Sequence, residues 1–82
     1  MSTTEYARLR HRRAFGARVR ELRQQRGWTQ EQFAEAASLD RSYVSGIESG
    51  ARNASLDVIA RVAVAFKVEM SDLFPPRRSW PR

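Results

Sequence analysis

Two short helical patterns follow one another with almost no chain between them, and this spacing restricts the fold more than any other feature. Thr29-Gln30-Glu31-Gln32 has the form of a capping box, in which a hydroxyl and a side-chain amide satisfy free backbone amides reciprocally. Phe33, Ala34 and Ala37 then mark the inward face of a helix that ends near Ser38. Asp40 is an N-cap candidate for the next helix, in which Val44 and Ile47 face inward and Ser49-Gly50 is the stop. Only Ser38 and Leu39 separate the first helix from the cap of the second, so the pair must turn sharply as a helix-turn-helix unit.

The flanking sequence supplies the helices such a unit packs against. Phe15, Val19 and Leu22 recur on one face of a helix predicted from Ala14 to Arg26, with Arg18, Arg20 and Arg23 at its edges and Gly27 as its stop. Residues 1–13 are either a basic arm or a backward extension of this helix carrying Tyr6 and Leu9. Ser55 caps a fourth helix whose apolar stripe is Leu56, Ile59, Ala63 and Phe66. Ser71 caps a short fifth with Leu73 and Phe74, ended by Pro75-Pro76. Residues 75–82 form a basic tail whose Trp80 is free to dock on the domain or on a partner. With no period-two patterns, the expected class is all-α: one five-helix domain over residues 14–74.

Function is bounded next by charge. The 82 residues carry a formal net charge of +6, and every basic residue except Lys67 is arginine. Such an excess favours polyanions, nucleic acid before an anionic membrane surface, and arginine's planar fork suits phosphate and the guanine edge. With 41% hydrophobic residues the chain can build a core. It has no cysteine, hence no disulfide framework and no thiolate metal site. No apolar run approaches a membrane span and the start lacks a secretory signal, so a cytoplasmic, nucleoid-associated protein is expected. An enzyme is not: His11 stands alone among Arg10, Arg12 and Arg13, and no catalytic set or phosphate loop is visible.

With Val44 and Ile47 turned inward, the third helix presents Arg41, Ser42, Ser45 and Ser49 outward, with no acidic side chain after the cap. A helix seated in the major groove reads bases with its N-terminal residues, here Arg41, Ser42 and Tyr43. Arg41 is suited to a bidentate contact with guanine, and Ser45 to bases or phosphates. Gln30, at a helix N-terminus, and Arg52 and Asn53, after the third helix, are placed to hold the backbone. Gly46 costs about 1 kcal/mol against alanine inside a helix, which points to a close approach, either to DNA or to the first two helices.

The run from Arg20 to Phe74, above all RGWTQEQFAEAA and DRSYVSGIESGARNASL, resembles the lambda-repressor/Cro-type helix-turn-helix (XRE) family, and within it restriction-modification controller proteins. The resemblance implies a phosphate contact for Gln30, a major-groove face of Arg41, Ser42, Tyr43 and Ser45, and backbone contacts from Arg52 and Asn53. It also implies a close helix contact at Ala34, a core position for Trp28 and a structural ion pair of Arg23 with Glu48. Ser38 and Lys67 stand where the family commonly has glycine.

The expected function is therefore a transcriptional regulator of a double-stranded DNA operator, autoregulatory and free of cofactor, metal and small-molecule ligand. A single recognition helix sees few base pairs, so a homodimer on a two-fold site is expected, with Val68, Met70, Leu73 and Phe74 as the interface. Contact with RNA polymerase is compatible with this role, though no patch in the sequence designates it. The alternative is an antitoxin-like or other protein-interaction module on the same fold.

Overall fold

The computed structural model describes residues 2–76, 78 and 80. Four α-helices, α1 (Thr3–Gln25), α2 (Gln30–Ala37), α3 (Arg41–Ser49) and α4 (Leu56–Phe66), are followed by a single 3-10 turn, Met70–Leu73. No strand occurs among the described residues. The class is all-α as expected, but the fifth helix is only that 3-10 turn. Of the tail, residues 77, 79, 81 and 82 lie outside the described residues.

The helix ends share one chemistry. Gly27, Ser38, Gly50 and Lys67 all adopt positive φ, so each helix closes through a left-handed residue. After each, an amide reaches back to a carbonyl five residues earlier: Trp28 to Arg23, Leu39 to Ala34, Ala51 to Gly46 and Val68 to Ala63. Ser38 (φ 56°) and Lys67 (φ 58°) do this without glycine, at a steric cost of roughly 1–2 kcal/mol each. The beginnings are less uniform. Thr29 and Gln32 close the expected capping box, and the Ser55 hydroxyl accepts from the Val58 amide. Asp40, by contrast, makes no side-chain cap bond. Ser71 does not begin the last turn: it lies within it, after Glu69, whose amide donates to the Asp72 carboxylate.

The core is a stack of aromatic and aliphatic side chains contributed by all four helices. Phe33 and Phe66 stack with ring centroids 4.6 Å apart, and Trp28 covers Phe66 at 5.9 Å. With Phe33 and Phe66, Val19, Val44, Ile47, Val62 and Leu73 are the large side chains that are fully buried. Two sequence expectations fail here. Leu56, in the first turn of α4, is 70% exposed, whereas Val62, outside the expected stripe, is fully buried. Leu73 is fully buried in the chain's own core, which removes it from any intermolecular interface. Phe74 is half exposed, its inner face stacked on Phe15 at 5.6 Å.

Gly16 sets how closely α1 can approach α3, a constraint the sequence did not announce. A Cβ there would collide with the Ile47 carbonyl oxygen and stand 2.8 Å from that of Glu48. Only a residue without a side chain lets one backbone lie on the other. Gly16→Ala should therefore lower stability by about 1–3 kcal/mol, as overpacking does. Urea unfolding checks this, and an unchanged midpoint would mean that the two helices part without cost.

Candidate nucleic-acid interface

The face that carries the sequence-predicted reading residues is built on α3. Val44 and Ile47 are buried, Arg41 and Ser42 are exposed, and Tyr43, Ser45 and Gly46 are half-buried. Ser49, also exposed, turns its hydroxyl back to the Gly46 carbonyl. The outward strip thus consists of one guanidinium, small hydroxyls and a glycine, flanked by a phenol.

Gly46 has a reason different from either anticipated one. The close approach is made by Arg52, whose Cγ would collide with a Cβ at this position and whose Nε would stand 3.3 Å from it. The Arg52 guanidinium continues over the Tyr43 ring, 5.0 Å from its centroid, in a cation–π contact. Arg52 therefore lies along α3 beside Tyr43, while Asn53 stays exposed in the loop between α3 and α4. The side chain missing at Gly46 is replaced in space by that of Arg52.

Glu48 ends α3 and is neutralised from behind. Arg23 Nε donates to Glu48 Oε2 at 2.7 Å and Arg23 Nη2 to Oε1 at 3.0 Å, a bidentate pair with the Glu48 side chain only 4% exposed. The third guanidinium nitrogen, Nη1, donates to the Trp28 carbonyl at 2.7 Å. Gln30 Nε2 also donates to Glu48 Oε1, at 3.2 Å. A side-chain amide nitrogen carries two hydrogens, so Gln30 is held by Glu48 and keeps a second donor at the start of α2. That is the geometry a backbone contact at a helix N-terminus needs.

The structure thus brings Arg41, Ser42, Tyr43, Ser45 and Arg52 together on α3, and joins Gln30 to that helix through Glu48. Asn53 sits apart, beyond the end of α3. Val68 and Met70 are half-buried below α4. Two apolar side chains on α4 itself are exposed: Leu56, which the sequence placed on the inward stripe, and Val64 (77% exposed), which went unnoticed there. Val64 falls outside the inward stripe of α4 and is apolar all the same, a signal that was present. Among the described residues no cluster of His, Cys, Asp or Glu could hold a metal ion, and no helix is long and apolar enough to cross a membrane.

A short helix set against its predecessor by a tight left-handed turn, with polar side chains outward and an internally paired acid, defines a helix-turn-helix protein. The helix-turn-helix family profile matches residues 19–73, and the chain belongs to that family, in its XRE-type branch. It is similar to the control protein C.BamHI of Bacillus amyloliquefaciens, 42% identical over 60 residues that cover 72% of this chain and 74% of the relative. The control protein C.MunI of a Mycoplasma species is 38% identical over 61 residues, covering 73% and 82%. Among solved structures, the restriction-modification controller protein C.AhdI from Aeromonas hydrophila superposes with a TM-score of 0.75 at 48% identity, covering 77% of this chain and 96% of that one. The chain is accordingly a DNA-binding helix-turn-helix transcriptional regulator, not an enzyme.

Glu48→Ala should cost about 3 kcal/mol or more, because it leaves the Arg23 guanidinium buried without its partner. Arg23→Met with Glu48→Met should recover part of that loss, since no uncompensated charge remains. Chemical denaturation of the single and double variants measures both. Equal losses for Glu48→Ala and for the double variant would show that the pair does not hold these helices.

Proposed function

We propose that this chain is a controller-type regulator that binds a two-fold operator in double-stranded DNA as a homodimer and governs its own expression. The observation that carries the reading is the outward face of α3, where Arg41, Ser42 and Ser45 follow the cap residue Asp40 and the single acid of the helix itself, Glu48, is tied to Arg23. In the major groove, Arg41 addresses a guanine edge, Ser42 and Ser45 reach bases or phosphates, and Tyr43 with Arg52 borders the groove. Gln30 and Asn53 hold the backbone on either side. Similarity to two proteins named as control proteins and to one named as a restriction-modification controller supports an autoregulatory role. Such a protein works in the cytoplasm, on the nucleoid.

Dimerisation is supported by apolar surface on and below α4. Leu56, Val64 and Phe74 are exposed, and Val68 and Met70 lie half-buried nearby in the chain. Large apolar side chains in that density are suited to a self-complementary contact, which would set two recognition helices on successive half-sites.

Selection from a random duplex pool tests the DNA reading. The protein should enrich a two-fold sequence, and Arg41→Ala should lose roughly 1–3 kcal/mol of discrimination at one base pair of each half-site. Equal binding to every duplex, unaltered by that substitution, would leave only charge attraction and favour a protein-interaction module. Sedimentation tests the dimer: Val64→Asp should convert it to monomer at micromolar concentration, and a wild-type monomer with and without the enriched duplex would refute it.

A further inference from the structure

The N-terminal part of α1 lies outside the stretch matched by the family, which begins at residue 19. It is helical for local reasons: the Ser2 hydroxyl accepts from the Glu5 amide as a cap, and neither glycine nor proline occurs until Gly16. Where the domain backs α1, the inward stripe is apolar, with Phe15, Val19 and Leu22. Going back along that stripe from Phe15, helical spacing reaches Arg12, then Arg8, then Thr4. The stripe has therefore turned basic while still facing the side on which the domain lies.

These residues, with Ala7 and His11, line a groove of about 370 Å³ whose opposite wall is Asn53, in the loop after α3. The loop is held there because α1 lies against the end of α3. A Cβ on Gly50 would come within 2.8 Å of Arg13 Cγ and 3.2 Å of its Cα, so only glycine permits the contact. No acidic side chain lines this groove. A second groove along α1, running from Arg13 to Gln25, is lined by both Glu21 and Glu48. Arg8 and Arg12 have no hydrogen bond or ion pair among the described residues, whereas Arg10, on another side of the helix, is occupied. It donates to the Tyr6 hydroxyl at 2.9 Å and lies 5.8 Å from the Trp80 ring. Trp80 in turn meets His11 edge-on at 4.8 Å and donates to the Pro75 carbonyl. The extension is thereby braced as a helix, with two uncommitted guanidiniums facing the loop that carries Asn53.

We propose that the N-terminal extension of α1 is a second clamp on the DNA backbone, in which Arg8 and Arg12 bind phosphates of the strand held at Asn53. This rests on the reading of α3 as the major-groove helix. Two uncommitted guanidiniums beside a proposed backbone contact match phosphate in charge and in geometry. The clamp adds affinity without sequence preference, since phosphate contacts carry none.

The test uses the whole protein, a duplex enriched from the random pool and a scrambled duplex, titrated over a series of salt concentrations. Arg8→Gln and Arg12→Gln should each reduce the slope of log affinity against log salt by about 0.9, one phosphate's worth. Both duplexes should be weakened by the same factor, with the base preference unaltered. Arg20→Gln, which removes an equal charge from an exposed position of α1 outside this groove, should leave the slope unchanged. Circular dichroism should show equal helix content in all variants. Wild-type slope and affinity in the Arg8 and Arg12 variants would overturn the clamp while leaving Arg41-dependent reading intact. An equal loss with Arg20→Gln would overturn it too, by showing diffuse charge alone. Loss of a co-purifying acidic protein instead of DNA affinity would assign the groove to that partner. Failure of the wild type to bind any duplex in a salt-dependent way would remove both the clamp and the major-groove reading.

Discussion

Arg23 commits its guanidinium donors to a carboxylate at the end of α3 and to a carbonyl in the link between α1 and α2, and these contacts set the relation among the three helices. A partly buried ion pair of this kind contributes little net stability against an apolar replacement, because desolvation offsets most of the attraction. Its effect is orientational. A planar fork and a carboxylate meet in one arrangement, so α3 has a defined rotation about its own axis, and that rotation decides which side chains face outward. The pair also neutralises the one acidic side chain of α3 and holds it away from solvent. Gln30 is drawn into the same junction, which ties the start of α2 to the end of α3.

Around this junction the closest contacts are made where side chains are absent. Gly16 allows α1 to touch the backbone of α3, Gly46 lets Arg52 lie across the recognition helix, and Gly50 allows Arg13 to pack on the end of that helix. Each glycine trades conformational freedom in the unfolded chain for proximity in the folded one. At Gly46 a short side chain fixed to α3 is replaced by a long cationic one anchored in the next loop.

Much of the architecture was legible because it is local. The Thr29–Gln32 box, the Ser55 cap, the Gly27 and Gly50 stops and the helical spacing of Phe15, Val19 and Leu22 all act within a few residues. The misreadings also have local causes. Asp40 has the composition of a cap but not its bond, and Ser71 resembled a cap beside the one the chain uses. Leu56 fits the apolar period of α4 but lies in its first turn, beyond the core it was expected to enter. Residues 1–13 were ambiguous because an arginine-rich stretch without glycine or proline suits either an arm or a helix, and what braces it, Trp80, lies some seventy residues away along the chain.

By itself the sequence determined that this basic chain is a small all-α domain with a helix-turn-helix whose second helix is rich in hydroxyls, since periodicity, caps and charge are written residue by residue. The fold decided which of the apolar residues near the C-terminus are core and which are surface. Leu73 and Phe74 are adjacent and equally hydrophobic, yet one is enclosed and the other half exposed, because only packing against α1 and α4 distinguishes them. The fold likewise decided that the Arg52 side chain lies along α3, and that Arg8 and Arg12 lie opposite Asn53. Contacts of that kind depend on distances between elements, and a one-dimensional pattern holds no record of them.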